Sequence, residues 1–406
     1  MNMNLILAWR NVWRNKVRSL LIMASVALGL FAGIFVLALY EGMLKARVRT
    51  VIDQEVAHLQ VHHAGFTDDY DPALVLGDRK TMMNRLSGVA GIRHAAWRSV
   101  TQGMLATATG SSGVQILGVT VADENVVSQL GDKIKEGVTL DSAKRGAVLV
   151  GRKLADKMKL RLGSKVVLTF TDRDQNITAG AFRVSGIYQT DNAPRDEQQV
   201  YVNYASLNNY LDIGTGGHEI AVILNNDRDL EKAKEEFLKI YPAESVKTWK
   251  ENSPETDYMV TSVDQFSYII VVIIMIALAF GIINTMLMAV LERTREIGML
   301  TALGMNRPKV FRLIVTETIL LTIVGVPVGF LATLAVVGHF STAGIDISSL
   351  SGASMSNFGF SPVIYPQFPW RSIPTVLAIV AGTALVSALF PSLRAIRLRP
   401  ADALRV

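Results

Sequence analysis

SLLIMASVALGLFAGIFVLALY, residues 19–40, runs for 22 residues without a charge. A bilayer core of about 30 Å is crossed by about 20 apolar helical residues, so this stretch by itself places part of the chain in lipid. Three more uncharged runs match it: 266–291, 318–338 and 372–393, of 26, 21 and 22 residues. They account for a mean hydropathy of +0.30 and a charged share of only 19% over 406 residues. That balance excludes intrinsic disorder and a wholly soluble enzyme. There is no cysteine, which rules out thiol catalysis, cysteine-held zinc and iron–sulfur clusters.

The flanks of the spans give their orientation. Residues 1–18 carry Arg10, Arg14, Lys16 and Arg18 and no acid, and the segments 292–312 and 394–406 are also rich in Lys and Arg. With four spans these three segments share one face, and their basic excess makes that face cytoplasmic, both termini included. The first run ends in Leu39-Tyr40-Glu41, without the small residues of a cleavage site, so it reads as an uncleaved anchor. Leu5, Trp9 and Trp13 at i, i+4 and i+8 describe a helix lying in the interface.

Residues 41–264 hold 27 Lys and Arg against 30 Asp and Glu. A slightly acidic domain offers no basic face for nucleic acid. Strands are expected at 56–62, 114–119, 147–150, 165–171, 181–188, 199–202 and 219–224, with helices at 152–158 and 230–240, a mixed domain of two lobes. In the first strand Ala57, Leu59 and Val61 alternate inward, leaving His58 and His62 as solvated strand histidines; with no acid between them they do not form a zinc motif. Asp68, Asp69 and Asp71 lack the spacing of a calcium loop and read as an exposed turn. Gly214-Thr215-Gly216-Gly217 and Gly110-Ser111-Ser112-Gly113 match neither a phosphate loop nor a nucleophile elbow, so no metal, ATP site or catalytic residue is expected in this chain.

The fold expected is an α-helical membrane protein of four transmembrane helices with a large α+β extracytoplasmic domain inserted between the first and second. In chain order it comprises an interfacial helix (1–18), span (19–43), domain (44–262), span (263–291), cytoplasmic loop (292–311), span (312–338), outer loop (339–371), span (372–393) and tail (394–406).

Helices in lipid pair through small residues. Ser25, Gly29 and Gly33 on the first span, and Ala277, Gly281 and Thr285 on the second, form such stripes, as do Ala378 and Gly382 on the fourth. So many contact faces suggest a second copy or a paralogue. Gly325, Pro327 and Gly329 suggest a hinge in the third span, and Glu317, five residues from Arg312, reads as a snorkelling or paired carboxylate.

Between the second and third spans stands ERTREIGMLTALG, residues 292–304, with Pro308 beyond. Ile297, Leu300 and Leu303 recur at helical spacing, a short amphipathic helix beneath the membrane. The stretch resembles the coupling-helix signature of FtsX/MacB-type permeases, the four-span subunits of ABC transporters. Ala8-Trp9-Arg10-Asn11, Pro391-Ser392 with Arg394-Ala395, and residues 399–404 agree with it. Residues 58–66, 182–188 and 200–202 look more like the lipoprotein-releasing LolC/LolE branch.

The resemblance implies a permease without catalytic residues, in the inner membrane with its domain in the periplasm. It works with a separate ATPase that binds ATP and magnesium, and with a second permease. Glu292, Arg295, Glu296, Ile297, Gly298, Leu300, Leu303 and Gly304 would engage that ATPase and pass on its motion by mechanotransmission. The implied cargo is lipoprotein, handed to a periplasmic carrier. An acyl-chain cavity would be lined by Phe31, Phe35 and Leu39 of the first span and Phe266, Tyr268, Ile269 and Ile273 of the second. A MacB-like efflux permease and an FtsX-like subunit that signals to an outer hydrolase are the alternatives.

Overall fold

The computed structural model describes residues 9–396 apart from positions 11, 15, 87, 141–145, 303 and 304. It divides into two compact units, one containing the four spans and the other made of residues 45–260 and 346–363.

Among the described residues four helices are long and apolar enough to cross a membrane: Ser19–Val56, Pro254–Glu292, Arg307–Ala343 and Ile373–Ile396. Three extend well past their uncharged windows, because hydropathy marks only the part in lipid while backbone hydrogen bonding continues beyond it. The first is α-helical to Thr50 and widens into a π-turn at Val51–Val56 before Ala57 takes a left-handed φ of 58°.

In the membrane unit the core runs through Ile22, Val26, Leu30 and Ile34 of the first span, Met275 and Ile282 of the second, Leu321 of the third and Val376 and Val380 of the fourth. The small residues of the first span are used within this chain. A Cβ on Gly29 would lie 2.8 Å from Leu278 Cδ2, and one on Gly33 3.3 Å from Met275 Cε. Ser25 Oγ bonds back to Leu21 O at 2.8 Å. On the second span Ala277 is exposed, Gly281 has open space where a Cβ would be, and Thr285 Oγ1 bonds back to Gly281 O. Ala378 and Gly382 are exposed as well. The third span is helical straight through Pro327. Gly325 and Gly329 are closest-approach points: a Cβ on Gly329 would stand 2.5 Å from Ala27 O.

The large domain is built on ten strands among the described residues: β1 (Leu59–His63), β2 (Ile92–Thr107), β3 (Gly110–Val119), β4 (Ile134–Gly137), β5 (Ala147–Gly151), β6 (Lys165–Thr171), β7 (Ile177–Tyr188), β8 (Gln199–Asn203), β9 (Glu219–Leu224) and β10 (Glu244–Thr248). Their order is β10-β1-β9-β2-β3-β8-β5-β7-β4, with β6 pairing β2 and β7. The 16-residue β2 joins the two ends of this array, pairing β9 through residues 92–98 and β3 through 99–107. An apolar core around β1, β9 and β2 includes Leu59, Val61, Trp97 and Phe237, and a second gathers Val148, Leu168, Phe182 and Val200.

His58 and His62 are 3% and 2% exposed, so their reading as solvated histidines is corrected. Around β1 and β9 the sheet is covered on both faces, and alternation along β1 separates an apolar face from a polar buried one. On that polar face a chain of hydrogen-bonded polar and charged groups crosses three strands. His62 Nε2 meets Glu219 Oε2 at 3.1 Å, Arg98 Nη1 donates to Glu219 Oε1 at 2.6 Å, and Arg98 Nε and Nη2 grip both oxygens of Glu124 at 2.8 and 2.7 Å. Burial works against Glu219, yet Arg98 and His62 hold its carboxyl down at about 2. His218 stacks on Phe66 at 4.9 Å; its Nδ1 accepts from Val100 N–H and its Nε2 donates to Pro72 O. Accepting at Nδ1 requires the neutral ring, and burial pushes its pKa down to about 4.

Candidate functional site: the link between the second and third spans

Glu292 ends the second-span helix, Arg293 occupies a turn, and a new helix runs Thr294–Ala302. Thr294 Oγ1 bonds to Leu291 O at 2.7 Å, closing the turn. The third-span helix opens on Asn306, whose side chain accepts from Lys309 N–H, with Pro308 in its first turn, where its missing donor costs nothing.

Helical spacing sorts the linking residues by face. Glu292, Arg295 and Met299 are exposed, Met299 at 48%. Gly298 is buried, and Ile297 packs against the span core instead of facing outward. A cleft of about 40 Å³ on that inner side is lined by Met286, Val290, Ile297, Val310 and Ile314. The side chain of Leu300, and all of Leu303 and Gly304, lie outside the described residues. The outward stripe is thus set by Arg295 and Met299 at i, i+4, one residue out of phase with the apolar positions that attract notice in the sequence.

Glu296 takes a third direction. Arg14 Nη2 contacts both of its carboxylate oxygens, and Arg293 Nε stands 3.7 Å from Glu296 Oε2. Arg293 Nη1 also reaches Glu317 Oε1 of the third span at 3.4 Å. Glu317 is therefore paired, as expected, but with Arg293 in place of Arg312. Near Arg14, Val12 is buried at 1% and accepts a bond from Ser19 Oγ, while the Trp9 and Trp13 rings are exposed and meet edge to face at 5.9 Å. Arg14, Arg293 and Met299 are the members of this site that spacing alone missed. A charge run upstream and a lone methionine carry no signal of the fold that joins them.

The residues expected to line an acyl cavity are dispersed. Phe31 and Phe35 stack at 5.6 Å and are half-buried with Leu39; Ile269 and Ile273 are exposed at 54% and 60%. Tyr268 lines a space of only about 20 Å³ with Leu37, Tyr40 and Ser372. The Phe266 side chain lies outside the description. No group of three metal-capable side chains forms among the described residues.

The family described as a MacB-like periplasmic core domain matches residues 19–240, and the FtsX-like permease C-terminal family matches 268–400. The lipoprotein-releasing system transmembrane protein LolC of Neisseria meningitidis is 24% identical over 420 residues, covering 97% of this chain and 95% of that protein. The macrolide export ATP-binding/permease protein MacB of Campylobacter jejuni is 23% identical over 407 residues, covering 92% of this chain and 60% of that protein. Among solved structures, the periplasmic region of MacB from Actinobacillus actinomycetemcomitans shares 16% identity and a TM-score of 0.36, covering 53% of this chain and 95% of that one.

Proposed function

This chain belongs to the FtsX/MacB superfamily of ABC transporter permeases, and we propose that it is the membrane subunit of a machine that extracts lipoproteins from the inner membrane. The observation that carries this reading is the end-to-end match to a protein named for lipoprotein release. The basic segments orient the chain with both termini in the cytoplasm and the large domain in the periplasm. ATP and magnesium are held by a separate ATPase, which meets the exposed Glu292, Arg295 and Met299 together with Leu300. Its closure moves the linking helix, and the first and second helices, unbroken beyond their lipid windows, carry that motion outward.

Acyl cargo suits such a machine. At about 0.8 kcal/mol per CH₂, drawing three chains into water would cost tens of kcal/mol, so the chains leave bilayer for an apolar surface. The exposed Ile269 and Ile273, with the half-buried Phe31 and Phe35, provide one when two permeases stand side by side, and a periplasmic carrier receives the product. Gly281 and Ala277, open in the single chain, supply a close-contact face for that pairing.

Photocrosslinkers at Phe35 and Tyr268 in cells test the cargo. Capture of triacylated lipoprotein that is released on ATP addition supports the proposal, whereas capture of phospholipid alone overturns it. A MacB-like efflux role is the second reading, favoured by the 92% of this chain that aligns with a macrolide exporter. It predicts an adaptor bound to the large domain and no acyl capture.

The ATPase contact is tested separately. Arg295→Glu with Met299→Glu lowers ATPase copurification about tenfold or more, since losing an interface anchor costs 2 kcal/mol or more, while the helical content of the permease is unchanged.

A further inference from the structure

Glu296 lies beside the outward stripe, on the linking helix, yet its carboxylate is engaged by its own chain. Arg14 holds both oxygens, Arg293 is next, and Arg293 continues to Glu317, so charges alternate along Arg14, Glu296, Arg293 and Glu317. This chain of groups joins three segments distant in sequence: the turn before the first span, the linking helix and the third span. The inner end is sheltered, with Arg293 and Glu317 side chains 13% and 8% exposed; the outer end is half open, with Arg14 and Glu296 at 55% and 46%. Val12, two residues before Arg14, is seated in the span core, while the Trp9 and Trp13 rings are exposed, the residue type that settles at headgroup level.

We infer that Glu296 is a positioning residue that fastens the N-terminal turn to the linking helix, so that the two move as one element and the ATPase works against a lipid-anchored lever. The inference rests on the proposed ATPase partnership for its role in coupling, but the fastening itself belongs to this chain alone. A half-exposed pair is worth little when static. Its placement matters more: on the one helix expected to bear load, it shares that load with the tryptophan-anchored turn at one end and the third span at the other.

The test uses the full chain in nanodiscs of phosphatidylethanolamine and phosphatidylglycerol. The protein has no cysteine, so spin labels at Arg10→Cys and Met299→Cys, both exposed, report the two segments without background. Expected is one narrow distance distribution that broadens in R14Q and in E296Q, broadens no further in the double variant, and stays narrow in R14K. Distributions that are unchanged in the single variants, or that broaden additively in the double, overturn the fastening. In the complex with the ATPase, ATP-driven release should fall about two- to fivefold in each single variant and no further in the double. Additive losses there overturn the coupling role. A wild-type chain that binds no ATPase defeats the proposed function and the lever with it, while the distance measurement still decides the fastening.

Discussion

The two units contain chains of hydrogen-bonded polar and charged groups that differ chiefly in their access to water. In the large domain His62, Glu219, Arg98 and Glu124 cross the sheet with Arg98 and Glu124 at 2% and 1% exposure. At the foot of the spans Arg14, Glu296, Arg293 and Glu317 do the same with one end open. A buried ion pair loses hydration and is held by geometry, so removing one member strands another in a medium that cannot solvate it. A half-exposed pair exchanges its partner for water at little cost. The first arrangement fixes a fold, and the second joins segments at a surface that water still reaches.

The sharpest way to break the contrast is Arg98→Leu, which leaves Glu124 and Glu219 facing each other in the interior. It should destabilise the large domain by about 3–5 kcal/mol, read as lost hydrogen-exchange protection in β9 of the full chain. Acidification comes next. The folded His218 pKa lies below its unfolded value, so the neutral ring contributes stability above pH 6.5 that is lost as pH falls toward about 4. The loss approaches about 3 kcal/mol, and exchange protection in β2 near Val100 should fade over that window while that of the spans holds. Within the membrane unit, Gly329→Val forces a Cβ against the Ala27 carbonyl and should cost about 1–3 kcal/mol. Gly281→Val, into open space, should change the stability of the single chain by less than about 0.5 kcal/mol yet weaken association between copies in a detergent-dilution assay. Arg14→Gln should likewise change the unfolding free energy by no more than about 0.5 kcal/mol, its consequence lying in the fastening and in coupling.

Most of the architecture was legible in the sequence because lipid imposes a simple rule: an uncharged stretch long enough to span is a span. Strands β6 and β9 and the helices Arg152–Met158 and Leu230–Ile240 fall where alternation and helical spacing placed them. Strand β2 was missed because Arg98, Ser99 and Thr101 are buried polar residues that erase the alternation, and β4 and β10 are too short and polar to stand out. The same cause hid the burial of His58 and His62: periodicity separates two faces but does not say that the second is covered. At the linking helix the residue types were legible but their direction was not. Ile297 faces the core because the helix enters from a turn at Arg293, a geometry that spacing alone does not encode. The open stripe Ala277 and Gly281 and the filled stripe Gly29 and Gly33 look alike in sequence, since only the neighbouring helix distinguishes them.

The residues 346–363 belong with the large domain although they arise beyond the third span. Gly359 lies against the Arg47 guanidinium, and Ile347 N–H bonds to Pro362 O within that piece. A ribosome finishes residue 260 long before it reaches 346, so the large domain waits, incomplete, through the insertion of two further helices. Completion of that domain is thereby made conditional on a correctly threaded membrane portion, and a chain arrested midway displays a lobe missing its final segment.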